Sequence, residues 1–145
     1  MPLEGDYEPS PWEPIADQVA LYESTHGAEG NDFMGGTCII LTTKGAKSAK
    51  LRKTPLMRVT DGTSYAVVGS MGGAPTSPQW VHNLETTPQA ELQDRGVRRD
   101  YTVHQAEGEE KVAWWARAVA AWPDYDKYQA STERVIPLFV LEPAD

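Results

Sequence analysis

Two short apolar runs, joined by a strongly basic connection, constrain this chain more than any other feature. Thr37–Thr43 is apolar and β-branched at nearly every position, as expected of a strand buried on both faces. A second strand is expected over Thr54–Thr60. Between them, Lys44–Lys53 reads KGAKSAKLRK, a turn-prone segment. Lys44, Lys47, Lys50, Arg52, Lys53 and Arg58 are six of the chain's 13 basic residues. No acidic residue lies between Asp32 and Asp61. Gly45, Ala46, Ser48 and Ala49 space the cations with small side chains and leave backbone N–H groups accessible. Amide donors beside cations suit a phosphate or a chain of carboxylates. A charge run is more often a plain solvated loop. The segment has neither GxxxxGK[ST] spacing nor the glycine pattern of a dinucleotide fold.

Charge distribution narrows the ligand. The formal charge is −8, and residues 1–32 carry eight acidic and no basic side chains. The remainder is balanced, with 13 of each sign. An acidic surface repels nucleic acid, so a local pocket for a small anion is expected instead. A length of 145 residues fits one domain with a substantial core. The lone Cys38 excludes an internal disulfide and reads as a small core residue. His26, His82 and His104 lack ligand spacing, so no metal site is expected. No run is long enough to span a membrane, and the first ten residues lack the basic and apolar regions of a secretory signal. A cytoplasmic protein is expected. The acidic N-terminal helix argues against binding to anionic lipid, and oligomeric state stays open.

Residues 1–35 are expected to form an acidic N-terminal segment, poorly ordered over its first 11 residues. It contains a short amphipathic helix, Trp12–Glu23, with Pro14 in its first turn and Ile15, Val19 and Tyr22 on one face. Such a helix can pack on the rest of the fold or act as a lid. Asp61-Gly62 predicts a hairpin between the second strand and Ser64–Gly69. Gly72-Gly73 permits close backbone approach to a ligand, and a short helix is expected over Pro78–Glu85. Ala90–Asp94 and Val97–Gln105 read as a strand pair. Glu107–Trp122 reads as a helix stopped by Pro123, with Val112, Trp115 and Val119 facing the core. Tyr125 and Tyr128 follow in a helical turn, and Val135–Glu142 is the last strand. About six strands, short turns and no βαβ repeat predict a mainly β, α+β fold: a closed or split barrel covered by helices.

Several of these segments together resemble a known family. They are Leu41–Ser48 with Arg52 and Thr54–Leu56, the run Ser70–Pro75, and Pro78-x-Trp80-x-x-Asn83-Leu84. The tail Trp122-Pro123-x-Tyr125-x-x-Tyr128-Gln129, with Ile136-Pro137 and Leu141–Pro143, completes the set. In this order they resemble the deazaflavin-dependent nitroreductase family of actinobacteria, over about residues 35–143. The resemblance implies a flavin-reductase-like split β-barrel over residues 36–145. It also implies binding of coenzyme F-420, a 5-deazaflavin with a phosphate and a polyglutamate tail. By carry-over, Lys47, Ser48 and Arg52 hold the phosphate and tail, while Thr54, Pro55 and Leu56 lie along the ring. Val68, Gly69, Ser70, Gly72 and Gly73 form the opposite wall, and Trp80 and Asn83 close the site. Met57, Trp122, Tyr125 and Tyr128 line the substrate side. Met57 and Trp122 stand where the nitroreductase member has tyrosines, and Met71 stands where a lysine is common. The more apolar pocket favours a planar conjugated lactone, coumarin, quinone or enone over a nitroimidazole. The implied activity is hydride transfer from reduced F-420 to an activated C=C bond or nitro group. Tyr125 or water gives the proton, and Ser70 helps to orient the substrate oxygen. A non-catalytic deazaflavin-storage module is the alternative, as is a split barrel holding FMN, or haem through His82 or His104.

Overall fold

The computed structural model describes residues 3–33, 36–70 and 77–144. The strands are β1 (Asp32–Phe33), β2 (Gly36–Lys44), β3 (Leu51–Met57), β4 (Tyr65–Val68), β5 (Gln89–Asp94), β6 (Val97–Gln105) and β7 (Leu138–Pro143). The helices are α1 (Glu13–Ser24), α2 (Gln79–Thr86), α3 (Gly108–Ala121) and α4 (Asp124–Ala130). Six strands form one antiparallel ladder in the order β3-β2-β5-β6-β7-β4, and the two-residue β1 adds to the start of β2. The expected α+β half-barrel is the fold observed.

Alternation along the central strands explains the helical cover. Ile39 and Leu41 of β2, Val67 of β4, and Phe139 and Leu141 of β7 point into one core, with Trp80 and Leu84 of α2. The intervening Cys38 and Ile40 meet Val19 and Tyr22 of α1. Ala66, Val68, Leu138 and Val140 meet Trp114, Ala118 and Tyr125 of α3 and α4. A strand apolar on both faces is stable only where both faces are covered, so the helices complete what the strand composition demands.

The curled sheet almost closes on itself. Past β3, Thr60 bridges Tyr65, and the Ala66 N–H donates to the Val59 carbonyl at 2.9 Å. At the other end of β3, Tyr7 bridges Leu51 in parallel, with Glu8 N–H to Leu51 O at 2.9 Å and Leu51 N–H to Asp6 O at 2.8 Å. Between these two closures β3 pairs with β2 alone among the described residues. Pro55, which has no N–H, sits in this half-open strand, where a missing donor is tolerated.

Several expectations need correction. The second strand starts at Leu51 rather than Thr54, because Leu51, Arg52 and Lys53 pair with Lys44, Thr43 and Thr42. Four of the ten residues of the supposed basic turn are therefore strand. Asp61 does cap a tight turn, accepting the N–H groups of Thr63 and Ser64 at 2.9 and 2.8 Å. The strands on either side pair briefly, through the Thr60–Tyr65 bridge and the Ala66 N–H to Val59 O bond, while β4 pairs along its whole length with β7. On α3 the buried residues are Trp114 and Ala118, while Val112 is 71% exposed and Trp115 and Val119 are half-buried. The small Ala118 lets the helix approach the sheet and rotates the predicted stripe partly outward. The last strand starts at Leu138, and Val135 is exposed. Residues 6–8 are not a loose tail but extend the sheet at Leu51.

Candidate active site

The half-open edge of β3 borders two adjoining cavities. Thr54, Pro55, Leu56 and Met57 are consecutive, so their side chains alternate between the faces of the strand. All four nevertheless line one cavity of about 460 Å3, as expected if it lies against the strand's edge. Its other walls are Val68, Ser70, Pro78, Gln79 and Trp80, with Trp122, Tyr125 and Tyr128. Beside it, a cavity of about 320 Å3 is lined by Gly45, Ala46, Lys47, Ser48, Arg52, Lys53 and Asn83. Ser10, Ile15, Thr54, Gln79 and Trp80 line both, which makes one continuous groove with a cationic end and an apolar, aromatic end.

The cationic end is built by a short turn fastened to α2. Gly45 N–H donates to Lys50 O at 2.7 Å, and Ala49 N–H to Gly45 O at 3.0 Å. A Cβ on Gly45 would lie 2.6 Å from Ser48 Oγ, so a side chain there would push the Ser48 hydroxyl aside. Asn83, 2% exposed, accepts the Ala46 N–H at 3.0 Å and donates to Thr43 Oγ1 at 3.0 Å. It thus ties the loop, the end of β2 and α2 together. Ser48 Oγ accepts the Lys50 N–H, and its own hydroxyl proton stays available for a ligand. Lys47 is exposed and makes no ion pair among the described residues. Arg52 is paired with Glu8, and Lys53 with Glu23, its ammonium lying 4.8 Å from the Tyr7 ring centroid. The acidic N-terminal segment therefore folds onto the basic segment and neutralises part of it.

At the aromatic end, Trp122 Nε1–H donates to Tyr128 Oη at 3.2 Å. Tyr128 meets Tyr125 edge-on at 6.2 Å between ring centroids. Tyr125 is 7% exposed, and its hydroxyl has no hydrogen-bond partner among the described residues. Burial, and secondarily the Tyr128 phenol, push its pKa well above the ordinary tyrosine value. A phenol so placed stays neutral and can donate a hydrogen bond, but is a worse acid than free tyrosine.

Of the residues carried over, Lys47, Ser48, Arg52, Thr54, Trp80 and Asn83 line the cationic cavity. Pro55, Leu56, Met57, Val68, Ser70, Trp122, Tyr125 and Tyr128 line the other. Gly69 lines neither: its Cβ position is filled by Val81 and Pro137 side-chain atoms at 2.8 and 2.9 Å. Gly72, Gly73 and Met71 lie outside the described residues. His82 pairs with Glu85, and His104 sits between Glu110 and Glu142; neither lines the groove where haem would need an axial ligand. Sequence reasoning missed Glu8, Ser10 and Gln79 as lining residues. It also missed Arg134, whose guanidinium donates to Gly69 O at 3.0 Å, Ser70 O at 2.7 Å and Ser77 Oγ at 3.3 Å. A polar run at the N-terminus and a lone arginine after α4 carry no local signal of such contacts.

A half-barrel with a cationic turn at one end of a groove and aromatic walls at the other is an architecture of the flavin-reductase-like split-barrel class. Comparisons with known proteins specify the family. A family profile described as F-420H(2)-dependent quinone reductase matches residues 15–143. A putative F-420H(2)-dependent quinone reductase of Mycobacterium tuberculosis is 35% identical over 105 residues, covering 72% of this chain and 88% of that protein. The structure of an F-420-H2-dependent reductase, FDR-A, aligns with TM-score 0.69 and 44% identity, over 72% of this chain and 93% of the other. A structure described as a domain-swapped dimer aligns with TM-score 0.72 and 38% identity, over 92% of this chain and all of the other. The chain belongs to the F-420H(2)-dependent quinone reductase family. It is accordingly an oxidoreductase of the deazaflavin-dependent kind, and its cofactor is reduced coenzyme F-420.

Proposed function

We propose that this protein reduces planar conjugated acceptors, quinones foremost and then enones, unsaturated lactones and coumarins, in the aromatic half of the groove. The observation that carries the proposal is the continuity of the two cavities through Thr54, Gln79 and Trp80. One molecule with a flat apolar ring and an anionic arm fits such a groove. Lys47, Ser48 and the Arg52 guanidinium would hold the arm, and the free edge of β3 at Thr54–Leu56 would meet the ring. Bound there, the coenzyme supplies a hydride.

The chain contributes position, dryness and hydrogen bonds. Trp122, Tyr125, Tyr128 and Met57 offer flat apolar contact to an acceptor stacked beside the ring. Placing two reactants in register contributes up to about 7–11 kcal/mol of the barrier lowering. The neutral Tyr125 hydroxyl and Ser70, which line this cavity, would hydrogen-bond the acceptor's oxygen as negative charge develops on it. The raised pKa makes Tyr125 a weaker acid than a free tyrosine, and the proton comes from its hydroxyl or from water. A storage module would need the cationic end and a ring slot, but not the additional wall of Trp122, Tyr125 and Tyr128.

The test is a fluorescence titration with coenzyme F-420 and, in parallel, FMN, followed by reduction assays on quinones, enones, coumarins and nitroaromatics. F-420 should bind and FMN should not. Affinity should fall with salt and in Lys47→Ala and Arg52→Ala. Tight binding without turnover of any acceptor would favour the storage reading, and absence of F-420 binding would sink both.

A further inference from the structure

The pairing of Glu8 with Arg52 has a functional consequence that builds on the cofactor reading above. We propose that Glu8 is a built-in anion occupying the Arg52 subsite until the coenzyme's anionic arm displaces it, so that anionic ligands, and not neutral ones, release the N-terminal segment from Arg52.

Glu8 contacts Arg52 Nη1 and lies 3.9 Å from Lys50 Nζ, and it lines the same cavity as Lys47, Ser48 and Arg52. Its side chain is 42% exposed and that of Arg52 32%, so a dissolved anion can reach the pair. The neighbouring Lys53–Glu23 pair, at 12% and 23%, is shielded from such exchange. A phosphate or carboxylate entering at Arg52 replaces one anion by another, so the guanidinium is never left unpaired. A neutral ligand gains nothing at Arg52 and leaves Glu8 in place.

The segment bearing Glu8 is lightly held. Two backbone hydrogen bonds to Leu51 and the Tyr7–Lys53 contact fasten residues 6–8. Ser10 and Ile15, just downstream, line both cavities. Release of Glu8 at the cationic end is thereby communicated to the wall of the ring cavity. The arm that identifies the coenzyme also loosens the strap across its site.

The experiment compares Glu8→Gln with the wild type, measuring Kd for coenzyme F-420 and for a 5-deazaflavin lacking the phosphate and glutamyl carboxylates. Glu29→Gln, which removes the same charge at an exposed position in the loop after α1, controls for net charge. Glu8→Gln should tighten F-420 binding about two- to fivefold at low salt, the scale of an exposed ion pair. It should leave the armless ring unchanged. The gain should shrink at high salt and vanish in an Arg52→Ala background. In the wild type, F-420 should accelerate amide hydrogen exchange at Glu8 and Leu51. F-420 affinity that is unchanged or weaker in Glu8→Gln, or an equal gain in Glu29→Gln, overturns the proposal while leaving the cofactor assignment intact. Failure of both wild type and Glu8→Gln to bind F-420 overturns the cofactor assignment and this inference together.

Discussion

Asn83 offers the sharpest test of how the cationic end is built. Both ends of its side-chain amide are engaged, with the Ala46 N–H and with Thr43 Oγ1. In Asn83→Ala, the Thr43 hydroxyl, 1% exposed, loses its donor inside the fold. Stranding a buried neutral group costs about 1–3 kcal/mol. The Ala46 N–H is half-buried and can turn to water, so its loss adds about 0.5–1 kcal/mol. The sum is about 1.5–4 kcal/mol, and with a urea slope of about 2 kcal/mol/M the unfolding midpoint should fall by about 0.8–2 M. Freed from α2, the loop no longer holds Ala46 and Lys47 in place, and the Kd for F-420 should rise about tenfold, equivalent to about 1.4 kcal/mol. Thr43→Val keeps the shape of residue 43 and removes the acceptor. It should destabilise by about 1 kcal/mol with less effect on binding, because Thr43 does not line the groove. A double-mutant cycle should give a coupling of about 1 kcal/mol between positions 43 and 83. Additive losses, or an Asn83→Ala protein with wild-type midpoint and affinity, would refute the clamp.

Three further outcomes follow from the packing and the ionisation of particular residues. Gly69→Ala should destabilise by about 1–3 kcal/mol in urea titration, because the new methyl group would meet Val81 and Pro137 at under 3 Å. Trp114→Ala should cost about 3–5 kcal/mol while Val112→Ala stays within about 0.5 kcal/mol, and the reverse order would mean that α3 presents its other face. Tyr125 has a folded pKa raised above the unfolded value of about 10, so its stabilising contribution is full below pH about 10 and is lost as pH rises toward the folded value. Tyr125→Phe should therefore reduce the loss of stability above pH 10. It should also lower turnover by less than about tenfold, whereas a loss of about 100-fold or more would identify Tyr125 as the proton donor.

Much of the site could be read locally. The two runs flanking the basic segment specify β2 and β3, and the residues carried over at Lys47, Arg52, Thr54–Met57, Trp80, Asn83 and Trp122–Tyr128 converge on one groove. Helix positions were legible from proline and apolar spacing, as at Pro14 and Pro123. What failed did so for definable reasons. On α3, Val112-Trp115-Val119 and Trp114-Ala118 are both credible faces, and the choice depends on how closely Ala118 lets the helix sit on β4 and β7. Asp61-Gly62 does make a turn, but pairing of the strands beyond it is decided by β7, some 70 residues away.

Charge shows the division most clearly. The sequence by itself determined that residues 1–32 carry eight carboxylates and that six cations cluster around one connection, because composition and strand propensity are local properties. It also carried the motif order that identifies the family. Only the tertiary structure decided that Glu8 and Glu23 fold back onto Arg52 and Lys53, and that Lys47 is left exposed without an ion pair. It alone placed the half-open edge of β3 beside Tyr125. Ion pairing and sheet closure act between residues far apart in the chain, and their strength depends on distance and burial, which no single stretch of sequence contains.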